Sequence, residues 1–140
     1  MEEYLRTLAH ALFLKNMYHN AHHVVGRAPF FSDHKALGGF YEEADNEYDM
    51  LAEKFCAKYG SEKLSLPLLM SMAAEKSKAM GPAPENKEYF MRGLRAEQEL
   101  CQMLEAMVKG IPTSEGERQL LGNVCQSSEA RQYKIKQRIK

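Results

Sequence analysis

The sequence has no tryptophan, no long apolar run and no excess of either charge. Basic and acidic residues each number 19, so binding to nucleic acid or to an anionic membrane would need a local patch. No apolar run approaches the roughly 20 residues that a bilayer-spanning helix needs. The first residues, MEEYLRTL, are acidic and amphipathic, unlike a signal peptide. These absences predict a soluble, cytoplasmic protein without a membrane segment.

Cysteine is also sparse. Cys56, Cys101 and Cys125 are odd in number, widely spaced, and form no CxxC motif. This pattern predicts three reduced, largely buried thiols and gives no sign of a disulfide framework. The length of 140 residues suits one domain, residues 1–140, with a substantial core.

Glycine-rich breaks divide the first half of the sequence into two long helical segments. The first helix is predicted over about residues 2–25 and ends at Gly26. Ser32 is a good N-cap for the second helix, which continues to Tyr59 and stops at Gly60. Because the turn between them is short, the two helices are predicted to form an antiparallel hairpin.

The second half of the sequence also contains two long helical segments, which follow a longer connection. A third long helix is predicted over about residues 86–109, and Ser114 and Glu117 form a capping box that begins the fourth. A shorter helix beginning near Pro67 lies in the connection between helices two and three. Four amphipathic helices with such a crossover predict an all-α, ferritin-like four-helix bundle with a short extra helix.

Helix two has the clearest apolar stripe. Its predicted inward residues are Leu37, Tyr41, Ala44, Tyr48, Leu51 and Phe55. Gly38 and Gly39 interrupt it, and each mid-helix glycine costs about 1 kcal/mol relative to alanine, so the pair indicates close packing, a bend or a later helix start. In helix four the stripe contains one charged residue, Arg131.

Histidines and carboxylates are concentrated on the first two helices. The histidines of this group are His19, His22, His23 and His34, and the acidic residues of helix two are Glu42, Glu43, Asp45, Glu47, Asp49 and Glu53. Imidazole together with carboxylate suits iron, zinc or manganese. The alternative is that the histidines complement the helix dipole and that the acidic residues form a solvated face.

Spacing limits how these ligands can combine. Asp49 and Glu53 are one helical turn apart and share a helix face. His34 and Asp49 are 15 residues apart, which is about 22 Å along a continuous helix. A shared metal site is therefore possible only where His22 and His34 of one subunit meet Asp49 and Glu53 of another.

The stretch HHVVGRAPFFSDH, followed by YDMLAEKFCAKYG, resembles the Dps group of mini-ferritins. The resemblance covers about residues 18–60, and its intervals of 12, 15 and 4 from His22 to His34 to Asp49 to Glu53 agree with the family spacing. The matching residues are His22, Gly26, Phe30, His34, Asp49, Glu53, Lys54 and Gly60. The resemblance implies a homo-oligomeric, twelve-subunit shell that oxidises Fe(II) with peroxide or dioxygen at intersubunit sites and stores the ferric product. It also implies that the same four residues, His22, His34, Asp49 and Glu53, bind the iron and catalyse its oxidation.

Three departures from the family pattern bear on that function. Gly38 stands where the family usually has an aspartate, and His23 stands where it has a tryptophan beside the first histidine. The missing carboxylate predicts weaker iron binding, or a site completed by water or by His23. The Lys-rich N-terminal tail is absent, so DNA binding is expected to be absent or limited to phosphate contacts.

Two alternatives remain open beside iron oxidation. One is a ferritin-like structural or partner-binding oligomer whose metal site has degenerated, in which case no ferroxidase activity is expected. The other is a zinc-binding shell that uses His19 and His23, four residues apart. A di-iron site inside one chain is excluded, because no Glu-x-x-His motif occurs. Leu68, Leu69 and Met70 of the connecting helix are expected at a dimer contact.

Overall fold

The computed structural model describes all residues from Met1 to Lys140, and every regular element in it is helical. The elements are α1 (Glu2–Val24), α2 (Phe30–Tyr59), a 3₁₀ turn (Ser61–Lys63), α3 (Leu66–Ser77), α4 (Asn86–Gly110) and α5 (Glu115–Ile139). The all-α prediction is therefore confirmed, together with the short helix in the long connection. None of these helices combines the length and the apolar character that crossing a membrane requires.

Helix starts follow the predicted capping signals with one exception. The Ser114 hydroxyl accepts a hydrogen bond from the Glu117 N–H at 3.1 Å, and the Glu117 carboxylate accepts one from the Ser114 N–H, which confirms the capping box. The predicted N-cap at Ser32 is wrong, because α2 begins at Phe30. The Pro29 carbonyl already accepts the helical hydrogen bond from the Asp33 N–H at 3.2 Å, so Ser32 lies inside the first turn.

Contacts between helix ends give the direction of each long helix. Tyr4, near the start of α1, donates a hydrogen bond to the Leu51 carbonyl in the second half of α2, so the two helices are antiparallel. Asp33 at the start of α2 pairs with Arg138 at the end of α5, and it also accepts a hydrogen bond from Asn86 at the start of α4. Helices α1 and α5 therefore run in one direction, whereas α2 and α4 run in the other.

The core is shared by all four long helices and by the inner face of α3. On α2 it differs from the predicted stripe at two positions, because Phe40 and Glu47 are buried where Tyr41 and Tyr48 were predicted. The tyrosines are half-buried at the edge of the core. Each buried residue lies one position before the predicted one. Glu47 was not predicted to be buried because it has a charged partner inside the bundle, which a stripe of apolar residues does not reveal.

That partner is Arg131, the charged residue predicted within the stripe of α5. Arg131 is fully buried, donates to Glu97 of α4 at 2.9 Å and binds both carboxylate oxygens of Glu47. The Ser128 hydroxyl also donates a hydrogen bond of 2.7 Å to the Glu97 carboxylate. Burial raises the pKa of both Glu47 and Glu97, although Arg131 opposes that effect. We call Glu47, Glu97 and Arg131 the buried ion cluster, which joins α2, α4 and α5.

Helix α3 lies in the long connection and packs against α1. Leu69 is buried in the core between α3 and the bundle, so it is not available for the dimer contact that was expected of it. Leu68 and Met70 are exposed, and Leu66 is exposed over 59% of its accessible surface. The outer side of α3 thus presents a small apolar surface.

Candidate metal centre

His22, near the end of α1, and His34, near the start of α2, form a reciprocal pair in which each ring contacts the backbone of the other residue. Their rings stack face to face with centroids 3.7 Å apart. The His22 Nδ1 lies 2.6 Å from the His34 carbonyl oxygen, and the His34 Nδ1 lies 2.7 Å from the His22 carbonyl oxygen. Phe30, one turn before His34, also stacks on the His34 ring. The structure thus brings together the two predicted imidazole ligands.

This pairing determines which ring nitrogen can bind a metal. A carbonyl oxygen only accepts hydrogen bonds, so the Nδ1 of each ring must carry the proton that is donated. In the neutral imidazole the Nε2 is then unprotonated and has a free lone pair. Orientation of a ligand histidine by a hydrogen bond from its other nitrogen to a carbonyl is typical of metal sites. Both imidazoles are half-buried, and neither Nε2 is among the buried nitrogens that lack a hydrogen-bond partner.

Gly38 is in direct contact with this pair. A Cβ atom placed on Gly38 would lie 2.8 Å from both Cε1 and Nδ1 of His22, closer than atoms can pack. Helix α2 continues without interruption through Gly38 and Gly39. Of the three predicted roles of the glycine pair, close packing is therefore the one observed at Gly38, where the absent side chain leaves room for His22.

The Gly38→Ala substitution tests this contact. Alanine favours the helix by about 1 kcal/mol, but its methyl group would displace the His22 ring. We expect the reciprocal hydrogen bonds to break and the affinity for a divalent metal to fall by roughly 10–100-fold, the effect of removing a hydrogen bond that orients a metal ligand. Imidazole ¹⁵N chemical shifts and metal titration measure both changes. Gly39→Ala, with open space around the new methyl group, is the matched control; equal behaviour of the two variants would contradict the proposed contact.

The other two histidines of this region extend the row of rings. His19 stacks on Tyr41 of α2 with centroids 4.0 Å apart, and its centroid lies 4.4 Å from that of His23. His23 is exposed and adjacent to His22. No group of three or more histidine, cysteine or acidic side chains within the chain has the arrangement of a metal site. A zinc ion on His19 and His23 would therefore need further ligands from water or from another subunit.

Asp49 and Glu53 lie far from the histidine pair. Both are exposed on α2, four residues apart. Because α2 is one continuous helix from Phe30 to Tyr59, His34 and Asp49 are separated by about 22 Å along its axis. The structure thus brings His22 to His34, but it does not bring either histidine to the carboxylates within one chain.

The acidic residues of α2 divide into different environments. Asp33, Glu43, Asp45 and Glu47 form ion pairs with basic residues of α1 or α5. Asp49 and Glu53 are exposed, and neither belongs to such a pair. The alternative that the acidic residues of this helix form a solvated face therefore holds only in part, because four of its seven carboxylates pair with basic residues of other helices.

The sequence did not predict two features of this region. One is the reciprocal pairing of His22 and His34, for which the only signal is two histidines at facing positions across a short turn. The other is the stacking of His19 on Tyr41, which depends on how α1 and α2 pack.

A scan against protein-family models gave no match for the chain, and a search of curated proteins gave none either.

Proposed function

We propose that this protein is a Dps-like mini-ferritin that oxidises Fe(II) at sites between subunits and stores the ferric product. His22 and His34 of one subunit bind the Fe(II) substrate together with Asp49 and Glu53 of a neighbour. The observation that carries the proposal is the reciprocal histidine pair, whose two Nδ1 protons are committed to carbonyl oxygens and whose Nε2 atoms are free for a metal.

The architecture of the bundle supports the same proposal. The helices run up, down, down and up, and the long connection carries α3 across the bundle. This is the arrangement of ferritin-like bundles with one crossover connection. Imidazole and carboxylate also form a suitable donor set for iron.

The chemistry divides between the metal and the side chains. Each Fe(II) substrate gives up one electron, so two of them reduce one hydrogen peroxide, which takes up two protons and leaves as two water molecules. The carboxylates of Asp49 and Glu53 stabilise the additional positive charge of Fe(III). His22 and His34 hold the substrate at a fixed position, and the metal carries the redox step.

Assembly is part of the proposal, because one chain does not bring the histidine half of the site to the carboxylate half. The exposed apolar side chains on the outer side of α3 provide a contact between subunits. Twelve subunits follow from the resemblance to mini-ferritins. The same resemblance, together with the composition, supports a cytoplasmic shell. Because the charge of the chain is balanced, we expect this shell to function without binding DNA.

The competing proposal is a structural oligomer with a degenerate metal site. Gly38 favours it, because the family's usual carboxylate at this position is absent and His22 occupies the adjacent space. In that case the bundle and its assembly would persist without iron chemistry.

Anaerobic addition of Fe(II) and then peroxide to the purified protein separates the two proposals. The iron-oxidising protein is expected to develop ferric absorbance within seconds and to elute as one large oligomer that retains the iron. The structural oligomer would elute at the same size without ferric absorbance above that of a buffer control. Elemental analysis of the same preparation identifies zinc, if zinc is the bound metal.

A further inference from the structure

Cys101 and Cys125 lie side by side between two antiparallel helices. Cys101 is on α4, and Cys125 is on α5. The Cys101 sulfur is 3.9 Å from the carbonyl oxygen of Cys125, to which its thiol donates a hydrogen bond. The Cys101 side chain thus contacts Cys125 directly across the α4–α5 interface.

Polar groups surround the Cys101 sulfur. The Gln132 side-chain amide donates a hydrogen bond to it at 3.5 Å, and the same amide contacts the Ser128 hydroxyl. Hydrogen bonding with the Cys125 thiol, supported by Ser128, outweighs partial burial and lowers the pKa of Cys101 to about 7. The same interaction raises the pKa of Cys125. Near neutral pH part of the Cys101 population is therefore thiolate, the reactive form, and Cys125 is the thiol beside it.

Small molecules can approach this pair from solvent. All three cysteines are free thiols, and both Cys101 and Cys125 are only partly buried. Cys125 also lines an open cavity of about 400 Å³ between α4 and α5, together with Lys109 and Arg118. The chain thus combines a reactive sulfur, a second thiol beside it and access for an oxidant.

We propose that Cys101 and Cys125 are a peroxide-reactive dithiol that forms a disulfide within the chain. The Cys101 thiolate attacks one oxygen of hydrogen peroxide, the O–O bond breaks, and the departing hydroxide takes up a proton to become water. Cys101 is then a sulfenic acid. The Cys125 thiol attacks its sulfur, the S–O bond breaks, and a second water leaves with the Cys125 proton. Two thiols are oxidised and one peroxide is reduced, without any metal.

Cys56 provides an internal comparison. It lies on α2, packed against the core, and is likewise a free thiol. The hydrogen bonds of the Cys101 sulfur go to Cys125 and Gln132 and not to Cys56, so oxidation at Cys56 would have no hydrogen-bonded resolving thiol. The Cys56→Ser variant is therefore expected to form the disulfide as readily as the wild-type protein.

The test uses the full chain freed of metal by a chelator, so that iron chemistry does not contribute. After about one equivalent of hydrogen peroxide, peptide mass analysis without reduction should find the Cys101–Cys125 disulfide in wild type and in Cys56→Ser. Cys125→Ser should instead retain the sulfenic acid on Cys101, which dimedone traps. Cys101→Ser should give neither product.

Three results would overturn the proposal. These are disulfides between chains only, a disulfide that includes Cys56, and dimedone labelling of Cys125 instead of Cys101. Because the protein is metal-free, each of these results leaves the proposed iron oxidation untouched. Conversely, loss of ferric absorbance in a variant of Asp49 or Glu53 does not bear on the dithiol.

Discussion

Replacing Asp49 and Glu53 together with alanine is expected to remove most of the rapid ferric absorbance that follows Fe(II) and peroxide. These two carboxylates are exposed on α2 and take no part in the ion pairs that hold the bundle together, so the variant should fold and assemble. Loss of a group that merely orients a metal ligand lowers affinity or activity by roughly 10–100-fold. Loss of two direct ligands should lower the initial rate by at least about as much, measured by stopped-flow absorbance.

The matched control removes the same charge from another surface. Glu75→Ala combined with Glu115→Ala eliminates two exposed carboxylates on α3 and α5, whose pairs with Lys78 and Arg118 are at the surface. Exposed pairs of this kind contribute between about 0 and 1 kcal/mol, so stability and initial rate should stay close to those of wild type. Equal rates for the two double variants would reject Asp49 and Glu53 as iron ligands.

Arg131→Met is expected to cause the largest loss of stability of any single substitution considered. Arg131 is fully buried and neutralises Glu47 and Glu97, which are themselves buried on α2 and α4. Removing one partner of a buried pair leaves uncompensated charge and typically costs about 3–5 kcal/mol. Urea denaturation followed by circular dichroism measures this loss as a lower midpoint.

The accompanying control replaces the whole buried ion cluster with apolar residues. Glu47→Leu and Glu97→Leu, added to Arg131→Met, remove the carboxylates that the single variant leaves unpaired. Substitution of a complete buried ion pair by apolar residues is often neutral or stabilising by about 1–4 kcal/mol. The triple variant should therefore recover most of the midpoint. A single Arg131→Met variant as stable as wild type would show that the cluster contributes little.

The helices were predictable because their signals are local. The capping box at Ser114 and the glycine at Gly60 lie within a turn of the helix ends that they determine. The start of α2 was missed because Ser32 looks like an N-cap in isolation, whereas the carbonyl of Pro29 already accepts the first helical hydrogen bond. That competition depends on the backbone path after α1.

Predictions about the interior and the candidate site were less complete. Arg131 was recognised as a charged residue on an apolar stripe, but its partners Glu47 and Glu97 lie 84 and 34 residues away in sequence. Likewise, the spacing of His22 and His34 indicated proximity without revealing that each ring would bind the other's carbonyl. Such pairings depend on how the helices pack, which periodicity alone does not determine.

Subunit mixing tests most directly whether the site is shared between chains. One variant carries His22→Ala and His34→Ala, and the other carries Asp49→Ala and Glu53→Ala; each alone should be nearly inactive. After the two are refolded together in equal amounts, random assembly places an intact histidine pair against an intact carboxylate pair at about one quarter of the sites. We therefore expect the iron-oxidation rate to return to about a quarter of wild type. A mixture that stays as inactive as its components, with mixed oligomers verified by mass, would contradict the account.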